Sequence, residues 1–374
     1  MRGGVEYFCQ FRLEYEMDLG PVPADLAVYR NIILRGPIMR LLKSLVIAAA
    51  VFAAGGASAQ QIQQLRVGFI PVMGAAQIFV AEGEGWNKQA GIAVNPVAFE
   101  SGPNMIQTLS SGTLDVYVGG LAPLIVARSK GVDVRVVAAT VVEEMGLAAS
   151  ATLAPYFDGR PAAEAIKAFH EKTGRKAKFA TQPLGSGPNT TLQVWLWDVA
   201  KVSKDDAEVV EMGIDATQRA ITTGAVEGGS IREPAWTIVQ KQNPKVKLIA
   251  TGKDMFPNFP GVVVAVLGSF ADKNPKAVES LVRNVIRATA LLKDKPEQAV
   301  KHVGAAFGKG LIPEDALLAS LKSPQTQFTS DPRRIIEPTA KLQDYQVKFG
   351  ALKKAESLDG LFDLAVYDRA ASGK

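Results

Sequence analysis

From Leu65 onward the chain alternates short apolar, β-branched runs with amphipathic stretches of helical spacing. Leu65–Ile70, Ile92–Phe99, Asp115–Gly120 and Val134–Val142 are expected strands, separated by expected helices over Ala75–Lys88, Gly102–Ser111 and Leu121–Lys130. Such alternation implies a parallel sheet covered by helices on both faces. After a more polar stretch over Ala154–Arg175 the alternation resumes. The expected strands are Lys178–Thr181, Ala207–Met212, Glu227–Glu233 and Val246–Thr251, with helices over Pro188–Val199, Ala216–Thr223 and Pro234–Lys241. The spacing therefore predicts two α/β lobes. The apolar run Val262–Leu267 is expected to cross back to the first. Beyond it, Asn274 is an expected cap with Pro275 at the first helical position, and Val278, Leu281, Val282, Val285 and Ile286 recur on one helical face. A last long helix is expected after Asp331-Pro332, with Ile335, Leu342 and Phe349 on one side.

Ahead of the alternation lies a targeting pattern that starts at Met39. Arg40 and Lys43 are basic, Leu41 to Ala54 is nearly all apolar, Gly55-Gly56 breaks the run, and Ala57-Ser58-Ala59 gives a small-x-small cleavage pattern. This is the anatomy of a secretory signal peptide, and the run is shorter than the ~20 residues a span needs. The expected divisions are 1–38 as a non-native or mis-annotated extension, 39–59 as signal peptide, 60–150 with 258–374 as the first lobe, and 151–257 as the second. Periplasmic localisation follows. Cys9 is the single cysteine of the chain, so a mature form starting after Ala59 carries none, as suits an oxidising compartment.

The chain has 374 residues, 47% of them hydrophobic and 21% charged, ample for two packed cores. Its 42 basic residues exceed 37 acidic ones slightly, without a stripe or arm, so nucleic-acid binding gains no support. One cysteine and two histidines, His170 and His302, cannot form a Cys/His zinc site or support thiol chemistry. No phosphate loop, dinucleotide fingerprint, H-E-x-x-H or G-x-S-x-G motif occurs. No catalytic residue, metal or cofactor is expected.

In open α/β sheets ligands bind beyond the carboxyl ends of the strands. The loops there are Pro71-Val72-Met73-Gly74, Glu100-Ser101-Gly102-Pro103-Asn104, Gly119-Gly120-Leu121-Ala122-Pro123, Gln182 to Thr191 around Gly185-Ser186-Gly187, and Arg232-Glu233-Pro234-Ala235-Trp236. Most are glycine-rich and open a helix, which suits an anionic oxygen. One helix end contributes about 0.3–1 kcal/mol, while micromolar binding needs about 8 kcal/mol. Both lobes must therefore close on the ligand.

These loops, together with Leu109-Ser110-Ser111-Gly112-Thr113-Leu114-Asp115, Gly131-Val132-Asp133, Asp215-Ala216 and Gly224-Ala225-Val226-Glu227, resemble the nitrate/sulfonate/taurine-type substrate-binding proteins of ABC importers over nearly all of the mature chain. The resemblance implies a type II periplasmic binding protein fold: two α/β lobes, a hinge of two crossings and a central cleft. It implies a monomer that captures a small-molecule ligand and delivers it to a permease and ATPase in the inner membrane. By motif position the ligand contacts would be Met73, Gly74, Gln77, Ser101, Gly119, Gly120, Gly185, Ser186 and Glu233, with Trp236 available to stack on a ring, as Phe256 could also do. The third loop often carries a polar residue after its first glycine. Gly120-Leu121 here favours an organic ligand, a sulfonate or carboxylate, over nitrate or bicarbonate. Arg232 and Glu233 are neighbours on a strand and face opposite ways, so an acid fits if Arg232 points inward and an amine or polyol if Glu233 does. Thiamine-pyrimidine synthases share the fold but use a cysteine-rich motif and histidines. A sensor docking to a membrane receptor would look the same in sequence.

Overall fold

The computed structural model describes residues 62–307 and 312–373. The expected signal peptide, the stretch before it and Cys9 lie outside these. In chain order the first elements are β1 (Gln63–Phe69), α1 (Ala76–Gly83), β2 (Ile92–Ala98), α2 (Gly102–Ser110), β3 (Val116–Gly120), α3 (Ala122–Arg128) and β4 (Val134–Ala139). Then come β5 (Val141–Val142), β6 (Gly146–Ala149), α4 (Ala162–Thr173), β7 (Ala177–Thr181), α5 (Gly187–Gln193), β8 (Ala207–Glu211), α6 (Ile214–Thr223), β9 (Gly228–Ile231), α7 (Ala235–Gln242) and β10 (Lys247–Thr251). The chain ends with β11 (Val262–Leu267), α8 (Pro275–Asp294), α9 (Pro296–Phe307), α10 (Glu314–Leu321), β12 (Gln327–Phe328), α11 (Arg333–Lys348) and α12 (Leu364–Ser372). The expected helix 75–88 is cut at Gly85, which is left-handed at φ 73° and starts a separate turn at Trp86.

Two five-stranded sheets organise the described residues, with strand orders β2-β1-β3-β11-β4 and β10-β6-β9-β7-β8. Both differ from the expected all-parallel arrangement. β1 runs parallel to β2 and β3, but β11 is antiparallel to β3 and β4. In the second sheet β7 is parallel to β8 and β9, while β6 is antiparallel to β9 and β10. β11 (VVVAVL) has neighbours on both edges and is buried through its first five residues, which explains a continuous apolar run rather than an alternating one. β6 falls inside the span 60–150 expected for the first lobe, yet it pairs in the second sheet. β5 pairs instead with β12 in a small two-stranded sheet, so the chain leaves the first sheet after Ala139, joins the second at Gly146 and returns between Thr251 and Val262.

Val278, Leu281, Val282 and Val285 of α8 are buried as their spacing requires, with Ile286 at the stripe's edge. Asn274 does not cap this helix; its Nδ2 donates to Phe270 O at 3.2 Å, and Pro275 alone marks the start. The principal core contains residues from both sheets, and a second cluster joins Met73, Ala76 and Val80 to Leu292, Val300, Val303 and Leu317 of the later helices. No described helix is long and apolar enough to cross a membrane.

Candidate functional site

The two lobes open their site-facing helices with the same four residues. Ser101-Gly102-Pro103-Asn104 starts α2 and Ser186-Gly187-Pro188-Asn189 starts α5. In each case the serine is the extended N-cap and its Oγ accepts the N–H of the asparagine, at 3.4 Å from Asn104 and 3.3 Å from Asn189. Gly185, at φ 85°, makes the turn before the second cap and lies 3.6 Å, at its virtual Cβ, from Val126 of α3. That contact carries the second lobe's loop onto the first lobe.

Other strand ends meet across the same gap. Met73 N donates to Glu233 O at 3.0 Å, and Ile214 N to Glu100 O at 3.3 Å. A side chain at Gly213 would come within 2.6 Å of the Glu100 carboxylate, which instead accepts the Asp215 N–H at 3.3 Å. Gly74 lies against Val141 and Val262, both 2.7 Å from where its Cβ would be. Gly119 is similarly pressed by Met105 and the Tyr117 ring, whereas Gly120 has open space and its carbonyl accepts the Tyr117 hydroxyl at 2.8 Å. Gln77 is buried; its Nε2 donates to Thr140 O at 2.9 Å, while its Oε1 has no partner among the described residues.

Arg232 ends β9 and is only 6% exposed. Its Nη1 donates to Glu144 Oε1 at 3.1 Å and its Nη2 to Gln182 Oε1 at 3.4 Å, which uses two of the five donors a guanidinium carries. Glu144 is 4% exposed, and burial pushes its pKa up against the opposing pull of Arg232. Tyr117 is also raised by burial, with the Arg232 charge acting against that. Glu233 turns the other way: its Oε2 accepts the Thr237 N–H at 3.1 Å, and the Ser323 and Ser320 hydroxyls act on it from the region of α10. Burial nevertheless raises its pKa. The Glu233–Pro234 peptide is cis.

Arg232 and Glu233 both border a cavity of about 80 Å³ between the lobes, with Pro71, Val72, Ile214 and Asp215 on the other sides. A larger cavity of about 530 Å³ is bordered by Phe69, Phe79, Pro96, Ala98 and His302, and neither cavity is lined by the strand-end glycines or the capping serines. We place the site at the smaller one, where Arg232, Glu233 and Asp215 converge.

Of the residues expected from sequence, Gly185, Ser186, Gly119, Gly120, Ser101, Gly74 and Gln77 occupy the strand ends or the first turns beyond them, and Glu233 borders the cavity. Two side chains are directed elsewhere. Met73 packs in the helical cluster of the first lobe, leaving only its backbone at the interface, and Trp236 packs against the second lobe's core around Val239 and Val246. Both are large and apolar; Met73 is buried and Trp236 half-buried where its own helix meets a neighbour. Phe256 is also core, 5.5 Å from Phe259 and 5.6 Å from Tyr345 between ring centres. Sequence reasoning missed Glu144 and Tyr117. A usable signal for Glu144 existed: a carboxylate between the apolar runs Val134–Val142 and Met145–Ala149 must be buried beside a cation. Among the described residues no group of three or more His, Cys, Asp or Glu side chains could hold a metal.

The chain is 24% identical over 267 residues to a Bacillus subtilis (strain 168) protein named for binding aliphatic sulfonates, an alignment covering 68% of this chain and 75% of that one. Its fold is similar to the nitrate-binding protein NrtA of Synechocystis, at a TM-score of 0.68 and 16% identity, covering 84% of this chain and 89% of NrtA. It is also similar to the aliphatic sulphonate-binding protein SsuA of Escherichia coli, at a TM-score of 0.60 and 20% identity, covering 77% and 87%. These neighbours share the periplasmic binding protein fold, and the profile of the NMT1-like family matches residues 58–305. With two thirds of its length inside that match, and with two sheets meeting at capped helix ends, the chain belongs to the NMT1-like family.

Proposed function

We propose that this protein is a periplasmic solute-binding component of an ABC importer, which captures a small organic anion between its lobes and delivers it to a membrane permease and its ATPase. It performs no chemistry on the ligand and works as a monomer. The observation that carries the reading is Arg232: a nearly buried residue at a strand end, with guanidinium donors to spare, bordering an interlobe cavity. A guanidinium fork matches a carboxylate or sulfonate. The Ser101 and Ser186 helix starts carry N–H donors and partial positive charge at strand ends of either lobe, outside the lining of that cavity. The names of the sulfonate-binding relatives point to the same ligand class. An 80 Å³ space is below the roughly 300–1,000 Å³ of ordinary ligand pockets, so entry of an organic ligand requires the lobes to part and reclose.

The test is a thermal-shift panel of alkanesulfonates, carboxylates, amines and pyrimidines on the protein lacking residues 1–59. An organic anion at a hundred times its dissociation constant is expected to stabilise the protein by about 2.7 kcal/mol. Arg232→Gln combined with Glu144→Gln, which leaves no buried charge behind, is expected to weaken binding of that anion by about 1.5–3 kcal/mol, roughly ten- to hundredfold. A panel in which amines stabilise and anions do not would overturn the anion assignment and return Glu233 to the centre of the site.

A further inference from the structure

The Arg232–Glu144 pair has an internal peculiarity. The cation that suits an anionic ligand already holds an anion of the protein's own. Both side chains are nearly buried, and the 3.1 Å contact is the one ion pair either makes among the described residues. Glu144 sits between β5 and β6, where the chain passes from the first sheet to the second, and Arg232 sits at the end of β9 in the second. The other titratable groups nearby are engaged elsewhere. Glu143 accepts from Asn258 N and Gln327 Nε2, Glu233 is turned toward Thr237 and the serines, and the Tyr117 hydroxyl donates to Gly120 O. Gln182, the remaining partner of Arg232, is neutral.

We propose that Glu144 is a built-in counter-ion that gates anion capture: an anionic ligand joins Arg232 only as Glu144 takes up a proton, so that ligand binding and proton binding are coupled. This rests on the reading of Arg232 as the ligand's charge partner. The reason is electrostatic. With the ligand bound and Glu144 ionised, two anions would share one cation in a poorly solvated site, and like charges in such a site do not both stay ionised. Protonation restores one negative charge against one positive charge. The proton comes from solvent, the carboxylate becomes a carboxylic acid, and no other bond changes. Burial already favours that neutral form of Glu144.

The coupling is tested by isothermal titration of straight-chain alkanesulfonates and carboxylates, from one to six carbons, between about pH 6 and 9, where these ligands stay ionised. For the wild type, affinity is expected to rise about tenfold for each pH unit lowered while free Glu144 is ionised, because one proton is taken up per ligand. Repeating the titration in two buffers of different ionisation enthalpy measures that proton directly, without any variant. In Glu144→Gln the affinity is expected to be independent of pH and, at the alkaline end, tighter than wild type. Anion binding to the wild type with no proton uptake overturns the coupling while leaving the anion-binding function intact. A pH dependence that survives in Glu144→Gln also overturns it. If no anion binds the wild type at any pH, the function proposed above fails and takes the coupling with it.

Discussion

Neighbouring glycines in one strand end do different work. At Gly119 an added Cβ would meet Met105 Cε and the Tyr117 ring at 2.8 Å, while at Gly120 it would meet nothing within 4 Å. Gly119→Ala is expected to lower stability by about 1–3 kcal/mol, the usual cost of overpacking, measured by urea denaturation. Gly120→Ala is expected to leave stability within about 0.5 kcal/mol of wild type, as unencumbered substitutions do. If the loop faces ligand, Gly120→Ala weakens binding all the same, and unchanged affinity would remove Gly120 from the site. At this scale the sequence exposed glycines, serines and the Arg232/Glu233 choice, because turn and cap chemistry is local. It could not show that Glu144, far away in the chain, accepts one donor of the Arg232 guanidinium. Nor could it show that Met73 and Trp236 pack against hydrophobic clusters, since an apolar side chain beside a strand end is spelled the same whether it faces cleft or core.

At the scale of elements the two sheets are built alike. β2-β1-β3 and β8-β7-β9 share order and direction, and in both sheets an antiparallel strand follows. Each lobe also locks its first strand with an acidic residue just before its third. Asp115 Oδ2 accepts Arg66 N at 2.9 Å and Asp115 binds the Arg66 guanidinium; Glu227 Oε2 accepts Lys178 N at 2.8 Å and Oε1 binds Arg175. Both acceptor–donor pairs are 49 residues apart. Motif segments ending in Asp115 and Glu227, quoted above as family features, thus have a structural explanation. Glu227→Ala leaves a strand N–H unpaired in a buried site and is expected to cost about 1–3 kcal/mol. Arg175→Ala removes the half-exposed partner but keeps the Glu227 bond to the strand N–H, and is expected to cost less than Glu227→Ala because water can reach the freed Oε1. Equal losses in denaturation experiments would contradict this division. Strand existence was legible from apolar runs and turn residues, but strand direction was not. Parallel and antiparallel partners bury the same Val262–Leu267 run equally well, and only the route of the whole chain decides between them.

For the whole molecule, one continuous apolar cluster contains residues of both lobes, and polar contacts are added to it. Besides the loop hydrogen bonds, Lys348 of α11 reaches Asp198 at 2.5 and 2.6 Å, linking the last long helix to the segment after α5. An ion pair this exposed contributes about 0–1 kcal/mol. Lys348→Ala is therefore expected to weaken ligand binding no more than about fivefold. It should also raise the radius of gyration of the unliganded protein in X-ray scattering; no change in either quantity would show that the pair does not bias closure. The two-lobed plan was legible because the strand–helix alternation pauses and restarts, whereas the switch points were not, because β6 resembles a continuation of the first lobe until its partners are known. The exchange of strands has a temporal side. The gap between β3 and β4 is filled only by β11, so a growing polypeptide lacks the strand that joins β4 to its first sheet until residue 267 has been made. Premature compaction is thereby postponed to a late stage of synthesis, a useful delay for any chain that has to be threaded through a narrow pore before it settles.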